Sequence, residues 1–227
     1  MKKYELTDKK ITYNGRTLYR IRACRDFKTG LGIKIAPGDL GGYIEKEQNL
    51  SHDGKVWIRG NAKVWGNAKV WGNAEVWGNA EVCGNAKVWD NAVVWGNAEV
   101  WGNAKVWGNA EVCGNAKVWD NAVVWGNAEV FGNAMVCGDT KVFGNASISS
   151  INHIFNVAPI GAGADALTLF RTKDHSICIS FRYDSYSTED FKKEIENWDE
   201  NYQKVALIAL KAAMLHIDLS EKVLRPR

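Results

Sequence analysis

Residues 97–108 read NAEVWGNAKVWG, two copies of the six-residue unit that decides the fold. Fifteen such units follow one another from Asn61 to Ser150, with Val in the fourth place of fourteen and Ile148 in the last. A period of six fits neither an amphipathic helix nor a coiled coil. Within a unit, x-Val-Trp alternates outward, inward and outward, and Gly-Asn then makes a corner. The repeat therefore predicts short strands joined by corners.

The unit resembles the hexapeptide-repeat family, in which an aliphatic residue is followed four positions later by a small one. Val100-Trp101-Gly102-Asn103-Ala104-Lys105 is one copy. The resemblance implies a left-handed parallel β-helix, a triangular prism with three units in each coil. Left-handedness comes from the resemblance alone, because general crossover rules favour the right hand.

The prism predicts which side chains lie inside. Three Val and three Ala from each coil nearly fill a small triangular interior, because protein interiors are close-packed. We therefore expect the Trp side chains to stand outside and to stack from coil to coil. The corner Asn side chains should stack too, with amide hydrogen bonds along each column.

Taking every third unit assigns the outward side chains to three faces. The basic face carries Lys69, Lys87, Lys105, Val123 and Lys141, beside Trp71, Trp89, Trp107, Trp125 and Phe143. The acidic face carries Glu75, Val93, Glu111, Glu129 and Ser147, beside Trp77, Trp95, Cys113, Phe131 and Ser149. The mixed face carries Lys63, Glu81, Glu99, Lys117 and Met135.

The basic face is the candidate binding surface, through Lys69, Lys87, Lys105, Trp71, Trp89, Trp107 and Trp125. A column of Lys and Trp suits an anionic aromatic ligand such as single-stranded nucleic acid. It also suits the acidic face of a second copy. A plain solvated surface inherited by duplication is the third interpretation, since residues 79–101 and 109–131 are near copies.

The flanks divide the chain into three predicted domains: an N-terminal β cap (1–48), the β-helix (49–150) and a C-terminal α+β domain (151–227). Asn14-Gly15 is a hairpin turn signal in the cap. The last domain shows three strand-like segments, then a helix from Ser187. A second helix follows. Its spacing of apolar residues predicts that one face packs against the rest of the domain, formed by Val205, Ile208, Ala209, Ala212 and Leu215. A loop holding Arg171, Lys173 and His175 is a second candidate binding site.

A second resemblance rests on residues 38–54, GDLGGYIEKEQNLSHDG, which lead directly into the repeat. This arrangement is similar to hexapeptide-repeat proteins of gut bacteria and their phages that end in a short extra domain. It implies a phage origin and no assigned chemistry.

No catalytic residue is predicted. Acyltransferases of the hexapeptide-repeat family need a His base, and residues 61–150 contain neither His nor an insertion that could build a pocket. We expect no resident metal and no cofactor. Among the cysteines, Cys83 and Cys137 lie three coils apart, roughly 14 Å, which is too far for a shared metal or a disulfide.

The composition indicates the cellular compartment and the classes of partner to expect. The net charge of +3 is too small to indicate nucleic acid by itself. Five Cys without paired spacing favour a reducing compartment, and the start MKKYELTDKK lacks the apolar run of a signal peptide. We expect a cytoplasmic protein, in the host cytoplasm if it is phage-encoded, without a membrane span.

The sequence thus favours a non-enzymatic β-helical scaffold that forms a homo-oligomer through an outer face and recognises a protein partner or an anionic ligand. Two alternatives stay open. One is a phage-type inhibitor that binds a host factor, a nucleotide signal or nucleic acid. The other is a degenerate hexapeptide acyltransferase.

Overall fold

The repeat folds into a parallel β-solenoid preceded by an antiparallel hairpin and followed by an α+β segment. The computed structural model describes residues 2–160, 163, 165–182 and 184–220. The N-terminal elements are β1 (Tyr4–Tyr13), β2 (Arg16–Ala23), β3 (Phe27–Lys28), β4 (Lys34–Ile35), β5 (Leu40–Ile44) and a 3-10 helix at Glu47–Asn49.

Sixteen two-residue strands, β6 to β21, form the solenoid. In chain order they are Trp57–Ile58, Lys63–Val64, Lys69–Val70, Glu75–Val76, Glu81–Val82, Lys87–Val88, Val93–Val94, Glu99–Val100, Lys105–Val106, Glu111–Val112, Lys117–Val118, Val123–Val124, Glu129–Val130, Met135–Val136, Lys141–Val142 and Ser147–Ile148. A 3-10 helix at Ile151–His153 then leads to β22 (Ile154–Ile160), β23 (Asp165–Arg171), β24 (Ile177–Phe181), β25 (Asp184–Tyr186), α1 (Thr188–Ile195) and α2 (Glu200–His216).

Every third solenoid strand pairs in parallel, so Lys87 lies beside Lys69 on one side and Lys105 on the other. The basic face is β8, β11, β14, β17 and β20; the acidic face is β6, β9, β12, β15, β18 and β21. The mixed face is β7, β10, β13, β16 and β19. The solenoid has about six turns. The predicted assignment of side chains to faces is confirmed.

The interior is the predicted shaft of Val and Ala. The fourth-place Val and second-place Ala side chains of the repeats are at most 1% exposed. The indoles stand outside, and most are partly exposed. Two are buried by the N-terminal segment: Trp65 is 7% exposed and packs edge-to-face with Tyr13, and Trp57 is 1% exposed against Tyr4 and Phe27.

Most corners are tight turns in which the Ala N–H donates to the carbonyl three residues earlier, as from Ala104 to Trp101. The Gly takes a positive φ, +68° at Gly102, which a Cβ disfavours. The predicted amide columns are present: Asn85 donates to Asn103 at 3.0 Å, and the same bond recurs along all three corners.

The N-terminal segment closes the first coil. The chain turns at Asn14-Gly15, where both residues have positive φ, as predicted. β5 pairs antiparallel with β2 and parallel with β7, so the hairpin extends the mixed-face sheet and covers its edge.

The unit at residues 49–54 differs from the expected frame by two positions. His52 stands eighteen residues before Val70, but Leu50 is the residue that lies inside, 1% exposed and bridged to Val70. His52 instead stacks on Tyr4, with ring centroids 4.2 Å apart. The apolar side chain of Leu50 fills the solenoid interior, and His52 and Asp53 lie in a wider corner.

The C-terminal sheet, β22-β23-β24-β25, is antiparallel and lies between the end of the solenoid and the two helices. Phe170 packs into the solenoid core, whereas Leu167 and Leu169 pack against the helices. Ser187 caps α1 by accepting from the Asp190 N–H, as the acidic first turn predicted. Residues 221–227 of the predicted α+β domain lie outside the described residues.

The predicted packing face of α2 is wrong. The buried residues are Ala206, Ala209, Leu210 and Ala213, so that Ala209 alone belongs to both sets. Val205, Ile208 and Leu215 are 46%, 66% and 91% exposed. Apolar residues occur on nearly all sides of this helix, and the sheet takes the side with the smallest residues. Among the described residues, no helix is long and apolar enough to cross a lipid bilayer.

Candidate binding surface

The basic face brings together seven of the ten predicted binding residues. Its four indoles form one ladder, with ring centroids 5.0 Å apart for Trp71 and Trp89, 4.7 Å for Trp89 and Trp107, and 5.2 Å for Trp107 and Trp125. The ring planes of each pair lie within 12° of parallel, and Phe143 continues the ladder at 4.4 Å. Because each ring covers its neighbour, the ladder presents ring edges to solvent.

The lysines beside this ladder carry unneutralised charge. Lys69, Lys87 and Lys105 are exposed and in register. Among the ion pairs of the described residues, none involves these three side chains. Like charges directly opposite one another on adjacent strands repel. An anion on this face would relieve that repulsion.

The N-terminal part of the acidic face is covered by the loop between β3 and β4. The Leu31 N–H donates to Glu75 Oε1 at 2.6 Å, and Arg59 Nε lies 3.6 Å from Glu75 Oε2. Gly30 makes this approach, since a Cβ there would lie 2.0 Å from the Asn73 carbonyl oxygen. Glu75 is 1% exposed as a result, and its charge is not available to a partner.

The other two faces satisfy most of their charges within the chain. At the far end of the acidic face, Lys173 Nζ lies 2.7 Å from Glu129 Oε1. On the mixed face, Lys63 pairs with Glu81 and Lys117 with Glu99, each at 3.1 Å. Within the part of the chain that the structure describes, the basic face is therefore the face on which three lysines in register, Lys69, Lys87 and Lys105, lie outside any ion pair.

The hairpin also bonds to the mixed face. The Tyr13 hydroxyl donates to Glu81 Oε1 at 2.5 Å, and this hydrogen bond raises the pKa of Tyr13 to about 12. The thiol of Cys83 in the same region has a pKa raised to about 11 by burial, so it is protonated at neutral pH.

The remaining predicted site residues, Arg171, Lys173 and His175, lie at the opposite end from Lys69 and Trp71. Arg171 is 2% exposed and donates through Nη2 to the Ser220 carbonyl at 3.0 Å. Lys173 is held by Glu129. His175 occupies a turn with φ +65°. Arg171 thus ties the C-terminal segment to the sheet, and the structure does not join these three residues to the basic face.

A depression at the N-terminal end of the basic face was missed by the sequence analysis. A hollow of about 350 Å³ is lined by Glu47, Gln48, Leu50, Ser51, His52, Asp53, Lys69, Val70 and Trp71. A second, of about 520 Å³, is lined by Lys46, Gln48, Asn67, Ala68 and Lys69. The signal in the sequence was the imperfect unit at 49–54, where Ser and His-Asp interrupt the Trp pattern.

The described histidines serve structural contacts. Burial lowers the pKa of His52, which stacks on Tyr4, and of His153, whose Nδ1 lies 3.2 Å from the Ser149 backbone nitrogen. His216 Nε2 lies 3.0 Å from the Ile151 carbonyl oxygen. In the part of the chain that the structure describes, no three His, Cys, Asp or Glu side chains are grouped as a metal site.

No family model matches the chain, and no curated protein matches its sequence.

Proposed function

We propose that the protein is a non-enzymatic β-helical scaffold whose basic face binds an acidic protein surface. The observation that carries the proposal is the row of exposed lysines, Lys69, Lys87 and Lys105, which have no carboxylate partner among the described residues, whereas Lys63, Lys117 and Glu129 on the other faces are ion-paired. A rigid row of like charge is favourable chiefly when an anion neutralises it.

The ladder favours an acidic protein over single-stranded nucleic acid. Nucleic-acid binding proteins stack bases on exposed ring faces. Along the basic face, the faces of Trp89 and Trp107 are covered by their neighbours on both sides. Stacking a base there would require unstacking an indole pair, whereas carboxylates reach the lysines without disturbing the ladder.

The proposal includes the finer assignment to left-handed hexapeptide-repeat β-helices. The aliphatic-x-x-x-small-x unit and the segment 38–54 support it. The same segment supports an origin in gut bacteria or their phages. The five Cys without paired spacing support action in a reducing compartment, the cytoplasm of the host cell.

The test is binding of poly-L-glutamate, measured by isothermal titration calorimetry at low and high salt. We expect salt-sensitive binding that Lys87→Glu weakens at least tenfold. Lys10→Glu, an exposed change of equal charge on β1, is the matched control and should reduce affinity far less. Equal losses for both variants would show that general electrostatics, rather than this face, governs binding.

A second candidate function is self-association through α2. The exposed residues Val205, Ile208 and Leu215, with the partly exposed Ala212, follow the 3-4-3 spacing of a coiled-coil seam. A second copy of the helix has the matching spacing. In an antiparallel pair the acidic Glu200 end lies near the His216 end of the other copy, and the helix dipoles oppose each other favourably.

Light scattering on a sizing column at high micromolar concentration tests this second candidate. We expect a dimer that the Ile208→Lys, Leu215→Lys double variant converts to monomer. The Trp89→Ser, Trp107→Ser double variant should leave the mass unchanged. A monomeric wild-type protein, or a dimer that only the Trp variant dissociates, would refute an α2 interface.

A further inference from the structure

The aromatic ladder of the basic face is closed at one end and open at the other. At the C-terminal end, Phe143 meets the edge of Phe170, with ring centroids 5.7 Å apart. At the N-terminal end, Trp71 stacks on Trp89 through one ring face. Among the described residues, no second ring and no cationic group lies over the opposite face of Trp71.

The first indoles in the fifth place of the unit are covered on the other two faces. The Arg59 guanidinium lies 4.5 Å from the ring centroid of Trp77 on the acidic face. On the mixed face, Trp65 packs edge-to-face with Tyr13, with ring centroids 5.5 Å apart, and is only 7% exposed. Trp71 therefore differs from both of its counterparts.

The cause is the residue in the coil above. The Trp71 N–H donates to the Val88 carbonyl, and the Ser51 N–H donates to the Val70 carbonyl in the same way, so Ser51 takes the place of the next indole. Its hydroxymethyl group is far smaller than a ring. The hollow of about 350 Å³ lies beside this position and includes both Ser51 and Trp71 in its wall. The ladder therefore lacks an aromatic ring at residue 51, and the hollow lies where that ring would stand.

Basic and acidic side chains lie on different sides of this hollow. Lys69 and Gln48 line both the aromatic hollow and the second hollow of about 520 Å³, which Lys46 also lines. On the aromatic side, the Asp53 carboxylate is exposed at the rim. His52 Nε2 is buried there without a hydrogen-bond partner among the described residues.

We propose that these two hollows form a single nucleotide-binding site. The base stacks on Trp71 as the missing rung, and the phosphate lies between the ammonium groups of Lys46 and Lys69. Lys69 and Trp71 project from the same side of one strand, about 7 Å apart at two residues. That spacing suits a base and a 5′-phosphate joined by ribose. Asp53 accepts hydrogen bonds from an amino group or from ribose hydroxyls.

The size and chemistry of the site agree with this ligand class. Small-molecule sites are hollows of about 300–1,000 Å³ with few polar groups that fix orientation. A stacked base gains from the Trp71 face, which is the one uncovered ring face on the ladder. A polyanion without a ring would use the lysines and leave this face bare. The inference goes beyond the acidic partner proposed for the rest of the basic face, and either can fail alone.

Isothermal titration calorimetry with three probes tests the site: AMP, adenosine and ribose 5-phosphate. We expect AMP to bind at least tenfold more tightly than either fragment, because only AMP supplies both the ring and the anion. Lys69→Gln should weaken AMP at least tenfold and leave adenosine nearly unchanged. Lys105→Gln, the matched control two coils away, should not affect AMP.

Ser51→Trp is the decisive variant, since an indole at residue 51 completes the ladder and fills the hollow. It should abolish binding of AMP and adenosine while the far-ultraviolet circular dichroism and poly-L-glutamate binding persist. Retained AMP binding by Ser51→Trp would overturn the proposal. Failure of the wild-type protein to bind AMP at millimolar concentration would also overturn it, even if poly-L-glutamate still binds.

Discussion

The basic and acidic faces are built from the same six-residue unit, yet they meet solvent differently. On the acidic face, Glu75 is buried beneath the β3–β4 loop and Glu129 is paired with Lys173. On the basic face, Lys69, Lys87 and Lys105 are exposed and unpaired among the described residues. The repeat decides where each side chain points, and the flanking segments decide which face is left for a partner.

The largest expected effect comes from breaking the covered end of the acidic face. Glu75→Ala leaves the Leu31 N–H and Arg59 without their carboxylate, and we expect a loss of about 2–3 kcal/mol in the free energy of unfolding. Lys105→Ala on the basic face should change it by less than about 0.5 kcal/mol. Urea denaturation of both variants measures the contrast, and similar losses would mean that the two faces do not differ.

A smaller difference in the free energy of unfolding is expected between variants of two aromatic ladders, one on the basic face and one on the mixed face. Trp107 stacks on both Trp89 and Trp125, whereas Trp101 stacks on one described ring, Trp119. Trp107→Ser should therefore cost about 0.5–1.5 kcal/mol more than Trp101→Ser, the contribution of one aromatic pair. Thermal and urea unfolding of the two variants check this difference. If the costs were equal, stacking would add nothing beyond burial.

The smallest expected effect is the change in the free energy of unfolding when one lysine charge is removed from the basic face or from the mixed face. Lys87 has a lysine in register on each side, so Lys87→Gln should raise the free energy of unfolding by about 0.5 kcal/mol at low salt. In 1 M salt the Debye length is about 3 Å, and the gain should vanish. Lys117→Gln, which removes a pairing with Glu99, should instead be neutral or destabilising. A salt-independent gain for Lys87→Gln would rule out repulsion as its cause.

The sequence predicted the solenoid and its faces because a fixed period determines inside and outside without reference to the rest of the chain. Val106 points inward and Lys105 outward for a local reason that every copy shares, the alternation of side chains along a strand. The hairpin at Asn14-Gly15 was predicted for a similarly local reason, the backbone angles of its turn.

The remaining features depend on contacts between distant residues. The run VALIAL at residues 205–210 is apolar on all sides, so only the sheet determines which side of α2 is buried. Leu31 covers Glu75 from forty-four residues away. The nucleotide site proposed at Trp71 depends on the two-residue offset at Leu50, which the repeat does not encode.

The in-register Asn columns bear on how many coils can stack on one another. Each coil offers the next one the same backbone and amide groups, eighteen residues along, and this is how identical chains add to a growing cross-β fibril. Nothing in the coils themselves sets where growth stops. Termination falls to β5 at one edge and to the contact of Thr172 with Ala146 at the other. Removing either contact would expose strand-edge groups on which a further coil, from the same or another chain, could add.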